Sequence, residues 1–84
     1  MSKINNNSAE RIQSNILRVL YDEAPQPISA NRIAEIEIRD KQFILKLLKD
    51  LEKKKLVKNV TPHFSRKCFW AMTGSAYKRY EELL

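Results

Sequence analysis

One glycine, one cysteine, one histidine and one tryptophan among 84 residues leave several kinds of protein out. With Gly74 as its only glycine, the chain has no glycine-rich loop to cradle a phosphate, so nucleotide chemistry lacks its usual scaffold. Cys68 has no second cysteine for an internal disulfide, and with His63 it cannot complete a four-ligand zinc site within one chain. A free cysteine of this kind reads as a core or strand residue. Catalysis by a nucleophile and base needs positioned partners, and His63 stands beside Pro62 with Cys68 five residues on, so neither an enzyme nor a bound cofactor is expected. No apolar run approaches the roughly 20 residues of a membrane helix, and "MSKINNN" lacks the apolar stretch of a secretory signal. No membrane partner is expected, and the expected location is the cytoplasm.

What is present suits one small folded domain. A hydrophobic share of 43% with 31% charged residues is that of a globular chain, and 84 residues are enough for one core. That core is small, and domains of this size often gain stability from a partner. The net charge of +6 is concentrated. Ten basic residues (Arg39, Lys41, Lys46, Lys49, Lys53, Lys54, Lys55, Lys58, Arg66, Lys67) stand between Arg39 and Lys67 against three acids (Asp40, Asp50, Glu52), a net +7, so the rest of the chain is −1. Lysines that only solvate a surface would be scattered, whereas one cationic segment points to a polyanion.

The periodicity supplies the elements. Residues 1–7 read as a flexible N-terminus and 8–84 as the folded domain. Asn7 with Glu10 is a capping pair, and Ile12, Ile16, Leu17 and Leu20 follow at helical spacing, giving a first helix from Ser8 to Glu23. After "APQP", Ser29 caps a short second helix that carries Ile33, Ala34 and Ile36 inward. Ile38 is expected to plug a tight turn, and Asp40 favours the start of a third helix. In that helix Phe43, Ile44, Leu47, Leu48 and Leu51 fall on one side. Gln42, Lys46, Lys49 and Lys53 fall on the other, with Leu45 at the border. Beyond Lys55 the period changes to that of strands. "LVKNVT" and "CFWAMT", the latter with Trp70 and Met72 on one side, flank the polar "HFSRK" as a hairpin with a basic tip. Thr73 caps a last helix whose Tyr77, Tyr80 and Leu84 form a stripe.

Helix, helix, turn, helix, basic hairpin, helix is the order of an α+β winged helix-turn-helix: a three-helix core, a β-hairpin wing and a C-terminal helix. "ISANRIAE" resembles the opening of a helix-turn-helix, and "LLKDLEKKKLVK" a recognition helix running into the first wing strand. "KCFWAMTGSAYKRYEELL" is similar to the second wing strand and following helix of small archaeal and bacterial transcriptional regulators. Two positions depart from that pattern: "EIEIRD" lacks the glycine such turns often carry, and Lys55 stands where the helix-to-strand junction commonly has one. The resemblance implies a sequence-specific binder of double-stranded DNA that regulates transcription in the nucleoid.

The major groove admits one helix, whose N-terminal part lies nearest the base edges. Lys41, Gln42, Leu45 and Lys46 occupy that part. Gln42 suits adenine, lysine suits guanine, and Leu45 could meet a thymine methyl or close an open edge of the core. Lys49 and Lys53 are suited to phosphates, Arg66 and Lys67 to the flanking backbone or an adjacent groove, and Arg39 is a further DNA-binding candidate in the same basic segment. Apolar surface on the first and last helices suggests a homodimer built on them. The competing reading is a protein-interaction module docking onto the transcription machinery, since an acidic protein surface would attract the same lysines.

Overall fold

The computed structural model describes residues 2–84, with side chains described from Ser8 onward. Its elements are α1 (Ser2–Glu23), β1 (Ile28–Ser29), α2 (Ala30–Glu37), α3 (Lys41–Lys53), β2 (Val57–Asn59), β3 (Phe69–Met72) and α4 (Gly74–Leu83). The helix expected to begin at Ser8 is already helical from Ser2, so Asn7 and Glu10 do not mark its start. The flexibility expected of residues 1–7 concerns a segment whose side chains lie outside the described residues.

Apolar residues at helical spacing build the core as their periods require. Ile12, Ile16 and Leu20 of α1 meet Ile33 and Ala34 of α2 and Ile44, Leu47, Leu48 and Leu51 of α3. The sheet covers the remaining side with Ile28, Val57, Trp70 and Met72, and α4 adds Ala76. In β3 the alternation places Trp70 and Met72 inside while Phe69 and Ala71 are half-buried, as the period of two dictates. Leu17 and Phe43 pack against this cluster from half-buried positions. Cys68 is also half-buried against the core, and its carbonyl accepts the Ala30 N–H at 2.9 Å.

The sheet has three antiparallel strands in the order β1-β3-β2. Beyond the expected hairpin, Ile28 and Ser29 pair with Trp70 and Phe69. A two-residue strand between Pro27 and a helix carries no periodicity to read, and the hairpin is thereby joined to the helix-turn-helix.

Side-chain oxygens fix the helix starts. Ser29 accepts the Arg32 N–H at 3.1 Å to open α2, and Asp40 accepts those of Gln42 and Phe43 at 3.0 and 3.4 Å to open α3. Thr73 accepts the Ala76 N–H at 3.2 Å to open α4. Its hydroxyl also donates to the Lys55 carbonyl at 2.9 Å, and its N–H donates to the Leu56 carbonyl at 3.0 Å.

Three apolar residues expected inside are exposed. Ile36 is off the Ile33–Ala34 stripe of α2. Glu37, beside it, is half-buried, and its carboxylate accepts from Asn15 of α1 at 3.0 Å on the surface. Ile38 is no plug: it is the left-handed C-cap of α2, with φ 55°, and its side chain stands 87% exposed. Leu84 follows the last turn of α4 and is also exposed. The stripe it was expected to extend ends at Tyr77 and Tyr80, whose rings lie 4.8 and 4.9 Å from that of Tyr21. Burial, with the Glu81 carboxylate next in weight, raises the pKa of the Tyr21 phenol above its ordinary value.

The two turns that lack a glycine are the two that require its conformation. Among the described residues, Ile38 and Lys55 are those with positive φ, 55° and 63°. A side chain there crowds the backbone, at a cost of roughly 1–2 kcal/mol, and a β-branched residue is the least suited. Ile38→Gly and Lys55→Gly are each expected to raise stability by about 0.5–1 kcal/mol, net of glycine's greater freedom in the unfolded chain. Denaturation midpoints measure this directly. A lower midpoint for Lys55→Gly would mean that the lysine makes a contact worth more than the strain.

Candidate nucleic-acid interface

The buried face of α3 determines what its other face offers. With Ile44, Leu47, Leu48 and Leu51 locked into the core, Gln42, Lys46, Lys49 and Lys53 project to solvent as one strip. Lys41 is exposed at the helix start, and Arg39 is exposed in the turn before it, where its N–H donates to the Ala34 carbonyl at 3.0 Å. Asp40, the acid in this stretch, is engaged as the N-cap, so its oxygen is directed at backbone N–H groups. Leu45 stands half-buried against the core at the border of the strip.

The wing extends the cationic surface along the chain. α3 ends at a C-cap on Lys54, turns through Lys55, and enters β2 one residue after Leu56. Lys54, Lys55 and Lys58 are exposed along this path. Between β2 and β3 the tip is held by its own polar groups. Thr61 N–H donates to Asn59 Oδ1 at 2.9 Å, and Phe69 N–H donates to Thr61 Oγ1 at 2.9 Å. Lys67 N–H donates to Ser65 Oγ at 3.1 Å, which donates in turn to the Lys67 carbonyl at 3.0 Å. Arg66 and Lys67 are exposed on this tip.

None of these cations is neutralised by a protein partner among the described residues, where the one ion pair is Arg32 with Glu35 at 3.4 Å. Their charge is therefore available to a ligand. The described residues contain no group of three or more His, Cys, Asp or Glu side chains that could hold a metal, and no helix long and apolar enough to cross a membrane.

The structure thus carries eight of the nine expected residues at exposed positions: six on α3 or the turn before it, and Arg66 and Lys67 at the far end of the hairpin. The ninth, Leu45, is half-buried. Sequence reasoning passed over Phe64, which stands 90% exposed at the wing tip. The available signal was an aromatic residue in a polar, proline-containing stretch, "PHFSRK", between the two strand runs.

A capped three-helix unit whose third helix leads into an antiparallel hairpin, followed by a fourth helix, is a winged helix-turn-helix domain. No family model matches the chain, and no curated protein does. Solved structures do. A mutant of MepR from a multidrug-resistant S. aureus clinical isolate is 29% identical, with a TM-score of 0.76 over 86% of this chain and 53% of that one. A mutant of Lactococcus lactis ZitR is 26% identical, with a TM-score of 0.75 over 87% of this chain and 49% of that one. S. aureus MepR in its complex with DNA is 28% identical, with a TM-score of 0.74 over 82% of this chain and 51% of that one. MepR and ZitR are winged-helix transcription regulators of the MarR family. The chain spans about half the length of these proteins.

Proposed function

We propose that this domain binds double-stranded DNA in a sequence-specific manner and regulates transcription. In this reading it is a cytoplasmic, nucleoid-associated protein and not an enzyme. The observation that carries the reading is the strip of exposed cations on α3, backed by a buried apolar face and free of ion pairs among the described residues. The similarity to MepR, a structure of which is a complex with DNA, supports it.

In this reading α3 enters the major groove, with Lys41, Gln42 and Lys46 nearest the base edges and Leu45 beside them. Arg39, Lys49 and Lys53 meet phosphates, and the wing holds the flanking backbone through Arg66 and Lys67. A homodimer through the terminal helices would suit a two-fold site, and exposed Leu83 at the end of the last helix and Leu84 just after it support that arrangement.

Titration of the domain with duplex DNA, at low salt and again at higher salt, tests the proposal. Binding that weakens steeply with salt is the expected result, because cations that replace counterions on phosphates bind by releasing those counterions. Absence of binding at every salt concentration would sink the DNA reading.

A further inference from the structure

The wing tip carries an aromatic ring that neither the core nor the cationic surface uses. Phe64 is 90% exposed, and its neighbours His63, Arg66 and Lys67 are exposed around it. The backbone beneath the ring is hydrogen-bonded within the loop. Ser65 N–H donates to the Pro62 carbonyl at 3.1 Å, and the Ser65 hydroxyl and Lys67 backbone bond to each other in both directions. On the other side Thr61 is anchored to Asn59 and to the start of β3. A ring presented on a loop already held by its own hydrogen bonds leaves less backbone freedom to lose on binding, which favours a docking role.

We infer that Phe64 is an apolar wedge that enters the minor groove of DNA beside the site of α3 and partly unstacks one base step, while Arg66 and Lys67 hold the adjoining phosphates. The inference rests on the DNA reading above. Two features of the tip select this occupant. Its cations complement a polyanion. Its ring is of the class of side chain that opens base steps from the minor groove, bending the duplex away from the protein. The consequence is a preference that cations cannot supply. Pyrimidine–purine steps unstack most readily, so the wing favours TA or CA/TG at the position it meets, through the cost of deforming the DNA.

The test uses the whole 84-residue chain and duplexes that the parent protein recovers from random-sequence DNA. Phe64→Ala is expected to lower affinity about tenfold, the scale of one lost aromatic–base contact. It also reduces the bend, read as end-to-end energy transfer on a doubly labelled duplex, and erases the step preference. The slope of log affinity against log salt stays as it was, since no charge is removed. Thermal melting is unchanged, because the ring packs against nothing that the fold needs.

Phe64→Trp keeps the affinity and the bend. With the native Trp70 buried, the added indole reports its own stacking as fluorescence quenching on binding. A Phe64→Ala protein that matches the parent in affinity, bend and step preference overturns the wedge and leaves the DNA reading intact. Lost affinity with an unchanged bend and preference also overturns it, for the ring then rests on the sugar-phosphate surface. A parent protein that binds no duplex at low salt overturns both readings together.

Discussion

Replacing Leu48 with alanine is expected to cost about 2–5 kcal/mol of folding stability, the range for truncation of a buried leucine. Leu48 is fully buried in α3, beside Ile44, Leu47 and Leu51. Its loss leaves a cavity where the three-helix unit meets. A domain of this length holds on the order of 0.05–0.15 kcal/mol per residue in total, so the substitution removes a large fraction of what keeps it folded. Urea denaturation followed by Trp70 fluorescence measures the loss, because that ring is the only tryptophan and lies in the same core.

Gln42→Ala, on the exposed face of the same helix, is expected to shift stability by no more than about 0.5 kcal/mol. Its effect appears in DNA selection instead, as about 1–3 kcal/mol of lost discrimination at one base pair. If Gln42→Ala unfolds the domain while Leu48→Ala is tolerated, the packed and open faces of α3 have been exchanged and the DNA assignment fails with them.

The second large effect is expected in the salt dependence of DNA binding. If Lys49, Lys53, Arg66 and Lys67 all meet phosphates, each contributes a slope of about −0.9 to log affinity against log salt. Removing both wing cations as Arg66→Ala/Lys67→Ala then flattens the slope by about 1.8 per protomer. Affinity for a selected site and for a scrambled one falls together, because contacts to the backbone carry no base information. Lys46→Ala acts differently: near the base edges, its loss lowers the ratio of specific to non-specific binding and changes the slope less. Binding of the three proteins to both duplexes across several salt concentrations separates these roles. Should the wing variant lose its preference while Lys46→Ala loses only affinity, the wing is the reading element and α3 the anchor.

The parts of the fold that were legible in the sequence are those governed by local rules. The stripe of Ile44, Leu47, Leu48 and Leu51 follows from the pitch of a helix. Ser29, Asp40 and Thr73 announce helix starts because a short side chain with an oxygen can satisfy N–H groups that the helix leaves open. The exposed strip on α3 was legible for the same reason, as the complement of the buried one. What escaped depends on partners distant in sequence. Ile28 and Ser29 become a strand only because β3 lies beside them. Ile36 is left exposed while its neighbour Glu37 reaches Asn15 of α1, a partner 22 positions away in sequence. Ile38 faces water because its backbone takes the left-handed conformation that ends α2, a state a β-branched residue does not advertise. Phe64 stands in a polar loop between the two strand runs, where no element period assigns it a face.

Thr73 gives the molecule a mechanical property. One hydroxyl proton reaches back to Lys55, just past the helix with the cationic strip, while the same oxygen receives the Ala76 N–H in the first turn of α4. The backbone N–H of Thr73 bonds to Leu56, the next residue along that junction. Thr73 thus ties the start of α4 to the junction through two donors, its hydroxyl on Lys55 and its N–H on Leu56, and separating the two elements breaks both bonds. The threonine is therefore a pin between two levers. The start of α4 and the C-terminal end of α3 are thereby held together at a single residue.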